Sequence, residues 1–212
     1  MDRILRDKRG FTVAELLVAA LFGMIVIATL YGFFRDQLYF LVAQETKTAT
    51  LEDARGALDM MVRELSIAGS FPLPANYPTT RPANDDDVNN CKRVVSASAT
   101  SIRIQADLTE DGDCADDNED VTYTYNLMSG TIERNSTTSP VVSNVALASG
   151  NDFLTYYTAG STTSVTPSST NINAIKRVKI SFAVQVADPT PEGKAAGRKI
   201  TSTLYSSVDF RN

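Results

Sequence analysis

The feature that most constrains this chain is an uncharged apolar stretch near its N-terminus. No side chain between Leu16 and Phe34 carries a charge. A helix of this length spans roughly 28 Å, close to the hydrocarbon thickness of a bilayer. Glu15 stands directly before the stretch, and no basic residue lies between Phe11 and Phe34. Because a carboxylate inside lipid costs about 2.5–3.5 kcal/mol on insertion scales, Glu15 is a candidate functional residue that needs a partner.

The residues around this stretch favour a membrane anchor over a cleaved secretory signal. Residues 1–10 contain four Lys or Arg against two Asp, and basic residues before an apolar segment favour a cytoplasmic N-terminus. The apolar run is too long for a typical signal core and has no small-x-small cleavage site at its far end. We therefore expect a single membrane pass, with everything after Phe34 outside the cytoplasm.

The helical pattern continues beyond the apolar stretch. Apolar residues recur at spacings of three and four and form one stripe on a helix, namely Leu51, Ala54, Leu58, Met61, Leu65 and Ala68. Gly69 and Pro72 then supply a stop signal. The sequence predicts one nearly continuous helix over residues 11–69, apolar all round in its first half and on one side only in its second half.

The rest of the chain has the pattern of a β-rich domain. Apolar and polar residues alternate in five segments, which are 101–108, 121–127, 153–157, 177–186 and 199–210. Turns are predicted at 128–130 and 188–197, and irregular loops at 72–90 and 158–170. We expect an α+β head over residues 70–212, in which antiparallel strands are covered on one face by the end of the long helix.

Composition argues against catalysis. The chain has no His and two Cys, so it lacks the residues for a Ser-His-Asp triad, a His-ligated metal or a thiolate zinc site. No segment has the spacing of a phosphate-binding loop. The net charge is −5, and no basic stripe that would indicate a nucleic-acid partner is evident. The sequence therefore predicts that the protein is not an enzyme.

The two cysteines, Cys91 and Cys114, are expected to form a disulfide. In an exported domain this is the default for one cysteine pair, and two free thiols are the alternative. The bond would close a loop of about two dozen residues and contribute roughly 3 kcal/mol on the chain-entropy account.

The segment "DLTEDGDCADDN" (107–118) resembles the ligand arc of a calcium loop. Oxygen-bearing side chains occupy positions 1, 3, 5 and 7, namely Asp107, Thr109, Asp111 and Asp113, and Gly112 occupies position 6. Position 12, normally a bidentate Glu, is Asn118, so Asp117, Glu119 or Asp120 would have to serve. The alternative is a solvated acidic loop. The sequence requires no cofactor, and calcium is the one candidate.

The N-terminal segment "RGFTVAELLVAAL" (9–21) resembles the signal of type IV prepilins and the related pseudopilins. In that family a short basic leader ends in Gly, Phe follows, and Glu is the fifth mature residue, matching Gly10, Phe11 and Glu15. The segments 51–69 and 201–212 further resemble the PilW family of minor pilins. The resemblance implies a type IV pilin-like α+β fold, with a long N-terminal helix packed on an antiparallel β-sheet head.

The resemblance also implies a processing pathway. A prepilin peptidase would remove the leader, residues 1–10, by cutting after Gly10, and would N-methylate Phe11. The new amino terminus of one subunit would pair with Glu15 of a neighbour, whereas the plainer alternative places Glu15 at the cytoplasmic membrane surface. The helix at 11–69, with 11–34 as membrane segment and filament core, would precede the head at 70–212.

Three functions follow from this resemblance and from the residues. The leading one is a structural minor pilin that enters or primes a type IV pilus, with other pilins, prepilin peptidase and the bacterial inner membrane as partners. The subunit would first lie in that membrane with its head outside the cytoplasm, and then in a pilus at the cell surface. The alternatives are a GspJ-like pseudopilin of type II secretion and a membrane-anchored calcium-binding protein that forms no filament.

Overall fold

A computed structural model of the chain describes residues 11–70, 91–109, 114, 116, 118–148 and 150–210. Its first element is one uninterrupted helix, α1 (Val13–Ile67), 55 residues long and therefore about 80 Å in length. The prediction of one continuous helix over residues 11–69 is confirmed, with a difference of two residues at each end.

Gly69 ends the helix for a steric reason. Its φ is +76°, a left-handed conformation that glycine adopts without cost. A Cβ at this position would lie 2.9 Å from Cβ of Arg93. The Gly69 N–H donates to the Gln105 carbonyl at 2.7 Å, so the end of the helix is hydrogen-bonded to the head.

The first sheet, sheet A, is an antiparallel meander in which each strand pairs with the next along the chain. In its centre Ile102 lies opposite Tyr123, and Ile104 lies opposite Val121. Its five strands are β1 (Ser96–Ala97), β2 (Ser101–Gln105), β3 (Asp120–Asn126), β4 (Thr131–Arg134) and β5 (Ser136–Val142).

The second sheet, sheet B, is built around one long strand. Its strands are β6 (Val145–Ala146), β7 (Leu154–Thr158), β8 (Ile175–Ala187) and β9 (Lys199–Asp209). All of β9 pairs with β8, while β6 and β7 share the other edge of β8. A short helix, α2 (Pro191–Ala195), connects β8 to β9, and a 3₁₀ turn, Ile172–Ala174, precedes β8.

One hydrophobic core joins α1 to both sheets. From the helix it takes Ala54, Leu58, Met61 and Leu65, the stripe that the sequence predicts. The four largest fully buried side chains of this core come from the two sheets and the segment before β7, namely Tyr123, Tyr156, Phe153 and Phe182. The chain is therefore α+β, and the second half of α1 is part of the head.

The head differs from the sequence-based expectation in its division into two sheets. The missed strands are β1, β4, β5 and β6. The segment of β5, "STTSPVV", has no apolar alternation and contains Pro140, so its strand conformation depends on pairing with β4. The predicted turn at 188–197 contains α2, which Thr190 caps by accepting a hydrogen bond from the Gly193 N–H, with Pro191 as the first helical residue.

Candidate functional site

The first half of α1 is an apolar surface that the head does not cover. No residue of the helix before Ala54 is buried. The described residues contain one helix long and apolar enough to cross a membrane, and none of its most apolar 18-residue window is buried inside the protein. This combination distinguishes α1 from the core helix of a globular domain, which buries its apolar residues.

At the start of the helix, Glu15 and Thr12 form a capping box. The Thr12 side chain accepts a hydrogen bond from the Glu15 N–H at 3.2 Å. In return, the Thr12 N–H and hydroxyl donate to Glu15 Oε2 at 2.8 and 3.0 Å. These bonds satisfy backbone groups that a helix start leaves unpaired. In the described residues, Oε1 of Glu15 accepts no hydrogen bond, so one carboxylate oxygen is available to a further donor.

Thr12 is therefore an uncharged hydrogen-bond partner of Glu15 within the chain, and the predicted need for a positively charged partner is unchanged. The signal was present in the sequence, because Thr-x-x-Glu before an apolar run is the capping-box pattern. Thr12 supplies hydrogen bonds but no positive charge, so no described residue compensates the charge of Glu15. Gly10 lies outside the described residues, and Phe11 is exposed directly before the capping box.

The predicted disulfide is confirmed. Cys91 and Cys114 are bonded, with their Cα atoms 5.6 Å apart. The bond ties the acidic segment between β2 and β3 to the start of sheet A.

The predicted calcium ligands that the structure describes differ in their exposure to solvent. Asp107 is buried, whereas Thr109 and Asn118 are exposed; Asp111 and Asp113 lie outside the described residues. Oδ1 of Asn118 accepts a long hydrogen bond, 3.5 Å, from Nη2 of Arg134, and a guanidinium there disfavours a second cation at that oxygen. Within the described part of the chain, no group of three or more His, Cys, Asp or Glu side chains is arranged to hold a metal ion.

Glu119, one of the three acids that could replace Asn118 at position 12 of the loop, is buried. Its side chain is 2% exposed. Oε1 accepts hydrogen bonds from the N–H groups of Leu108 and Thr109 at 2.6 and 2.7 Å. Oε2 is buried and has no hydrogen-bond partner among the described residues. No pattern in the sequence distinguishes Glu119 from the acids around it.

A second polar cluster joins α1 to sheet A. Tyr123 donates to Glu64 Oε2 at 2.7 Å, and Nε of Arg134 lies 3.1 Å from both Glu64 oxygens. Burial and the adjacent carboxylate raise the pKa of Tyr123 well above its usual range. The phenol therefore stays a donor at every physiological pH, and the cluster fixes the helix on the sheet.

No protein-family model, curated protein or solved structure matches this chain. A functional assignment must therefore be argued from the residues and their geometry.

Proposed function

We propose that the protein is a structural minor pilin, which is cleaved after Gly10 and enters or primes a type IV pilus through its N-terminal helix. The observation that carries the proposal is the exposed apolar half of α1, preceded by the register of Gly10, Phe11 and Glu15. An apolar helix surface that no described residue of its own chain covers needs apolar surroundings. A bilayer supplies them before assembly, and neighbouring helices supply them in a filament.

The apolar surface extends further than a bilayer accounts for. The uncharged stretch ends at the charged residues Arg35 and Asp36. Beyond these, four large apolar residues are each more than half exposed, namely Leu38 (63%), Phe40 (58%), Leu41 (58%) and Val42 (52%). They lie between the membrane segment and the first buried position, Ala54. Apolar side chains in this place favour packing against other helices, which a simple membrane anchor would not provide.

Glu15 is suited to an intermolecular ion pair. Its Oε2 is engaged by Thr12, which fixes the orientation of the carboxylate, and its Oε1 is open. A carboxylate in lipid without a countercharge is costly, and pairing with the amino terminus of a neighbour offsets that cost. Such a pair also defines the axial register between two subunits.

The proposed topology places the leader, residues 1–10, in the cytoplasm, within reach of prepilin peptidase. The head then lies outside the cytoplasm, in the periplasm before assembly and at the cell surface in the pilus. The Cys91–Cys114 disulfide supports this placement, because such bonds persist in oxidising compartments.

The proposal is tested by substituting Glu15 in the native host and collecting pili by shearing. We expect the wild-type subunit in the pilus fraction with N-methylated Phe11 as its first residue. Glu15→Ala should be inserted into the membrane as well as wild type, because the segment becomes more apolar, but should be lost from the pilus fraction. Glu15→Gln keeps an acceptor for Thr12 without the charge, and we expect it to fail as Glu15→Ala does.

Glu45→Gln is the matched control, since it removes one exposed acid from the same helix and should assemble normally. A mature chain that still starts at Met1, or equal assembly of Glu15→Ala and wild type, would contradict the proposal. A secretion defect without any pilus-associated subunit would favour the pseudopilin alternative.

A further inference from the structure

The segment between β2 and β3 carries a large excess of negative charge. Residues 107–120 contain eight Asp or Glu, and no Lys or Arg occurs between Arg103 and Arg134. The charge of Asp120 is compensated, because Nε of Arg103 donates to Asp120 Oδ1 at 2.7 Å, and this guanidinium lowers the pKa of Asp120. A run of acids is usually just solvated, so charge alone does not define a site.

Glu119 is the exception, because it is not solvated. Its carboxylate is buried, Oε1 accepts two backbone hydrogen bonds, and Oε2 has no partner among the described residues. A buried carboxylate oxygen without a partner is costly. In native structures such an atom indicates a group that the protein atoms alone do not supply, such as a water or an ion.

The orientation of Glu119 is set by the start of the acidic loop. The N–H groups that hold its Oε1 belong to Leu108 and Thr109, the two residues after Asp107. Asp107 is itself 3% exposed, and its N–H donates to the Ser70 carbonyl at 2.9 Å. The Ala106 N–H donates to the carbonyl of Glu119 at 2.9 Å. Backbone bonds therefore hold two buried acids at the two ends of one loop.

We infer that Glu119, through Oε2, and Asp107 bind a calcium ion, with Glu119 in the role that the sequence pattern assigns to Asn118. A proton would remove the negative charge of Glu119 alone, and a water molecule would remove no charge. A divalent cation offsets the repulsion among all the neighbouring acids. Calcium accepts carboxylates, backbone carbonyls and waters in a flexible shell of six to eight oxygens, whereas magnesium needs a near-ideal octahedron. This inference does not depend on filament assembly.

Calcium titration of the full-length protein in detergent tests the inference. After treatment with chelator, isothermal titration calorimetry should show one calcium bound per chain. At ten times the dissociation constant, calcium should raise the melting temperature by about 3–6 °C relative to EGTA. Magnesium at the same concentration should have a smaller effect.

Three variants make the test specific to this site. Glu119→Gln keeps an oxygen for the two backbone N–H groups but has no negative charge, so calcium binding should be lost. In EGTA this variant should melt at or above the wild-type temperature, because one repelling charge is gone. Asp107→Asn should likewise lose binding. Asp120→Asn removes the same charge one residue along, and should bind calcium as wild type does because Asp120 is already paired with Arg103.

The inference is wrong if the wild-type protein shows neither binding heat nor a melting shift in millimolar calcium. It is also wrong if Glu119→Gln binds calcium as the wild type does. If Glu119→Gln does not fold, wild-type calcium binding by Asp107→Asn would overturn the inference in the same way. An equal melting shift with magnesium would overturn the assignment to calcium.

Discussion

Glu64 lies where α1 meets sheet A, and its carboxylate accepts hydrogen bonds from side chains of two strands. Both partners are far along the chain, Tyr123 on β3 and Arg134 on β4. The side chains of Glu64 and Arg134 are 22% and 21% exposed, so this ion pair is less screened than one on an open surface. It gives the helix a directional contact that the apolar stripe alone does not provide.

We expect Tyr123→Phe to lower the free energy of unfolding by about 1–2 kcal/mol, because it removes a buried donor to a charged acceptor. Tyr125→Phe is the matched control: Tyr125 lies on the same face of β3, and its hydroxyl makes no hydrogen bond to any described residue. Chemical unfolding of the full chain in detergent, followed by near-ultraviolet circular dichroism, measures both. Equal effects of the two Tyr variants would contradict this role for Tyr123. A double-mutant cycle of Tyr123→Phe with Glu64→Gln should also give a coupling energy above about 0.5 kcal/mol.

At the scale of elements, α1 has two halves with different energetic roles. Before Leu51 no apolar side chain of α1 packs on the core, Leu51 is partly buried against it, and from Ala54 onward one face is buried against the sheets. The second half is therefore held by tertiary packing. The first half depends on its own helix propensity, its capping box and its surroundings.

Substitutions along α1 should separate these halves. Leu65→Ala, at a position that is 0% exposed, should lower the free energy of unfolding by about 2–5 kcal/mol through the cavity it leaves. Leu38→Ala makes the same chemical change where the side chain is 63% exposed, and should leave the unfolding of the head unchanged. Thermal and chemical unfolding in detergent would show this contrast, and a large loss from Leu38→Ala would refute it.

The sequence predicts elements best where the periodicity is strong. The helix, its stop at Gly69 and the strands β2, β3, β7, β8 and β9 follow from spacing or alternation. Strand β5 could not be predicted, because its Ser- and Thr-rich segment is extended only through its pairing with β4. The capping box of Thr12 was readable from its four-residue pattern, whereas the burial of Glu119 depends on contacts across a loop, which no local pattern encodes.

At the scale of the whole molecule, α1, sheet A and sheet B share one hydrophobic core. The α1 stripe packs with residues of both sheets in one continuous cluster. The Leu154 N–H donates to the Ala99 carbonyl at 3.0 Å, which joins β7 of sheet B to the turn between β1 and β2 of sheet A. The head therefore includes the second half of the helix, and neither sheet has a complete core of its own. Small domains with one shared core usually unfold cooperatively.

Two truncations test this description. The fragment 46–212 lacks the exposed apolar half of α1 and retains all of its buried positions, the first of which is Ala54. We expect this fragment to be soluble and monomeric, and to unfold in one transition. The fragment 70–212 lacks the stripe that fills the core, including Met61 and Leu65, both 0% exposed. Because burying such a side chain contributes about 1.5–3 kcal/mol, and net stability is only about 5–15 kcal/mol, this shorter fragment should not fold.

Gel filtration and thermal circular dichroism of both fragments, with the disulfide intact, provide the measurement. The longer fragment should elute at the size of a compact monomer and melt in a single sigmoidal transition. The shorter one should aggregate or melt without a transition. Cooperative folding of 70–212 would mean that the sheets form a core without the helix. Insolubility of 46–212 would mean that the first half of α1 supports the head. Either result would contradict the division of α1 into a free half and a packed half, on which the proposed filament role depends.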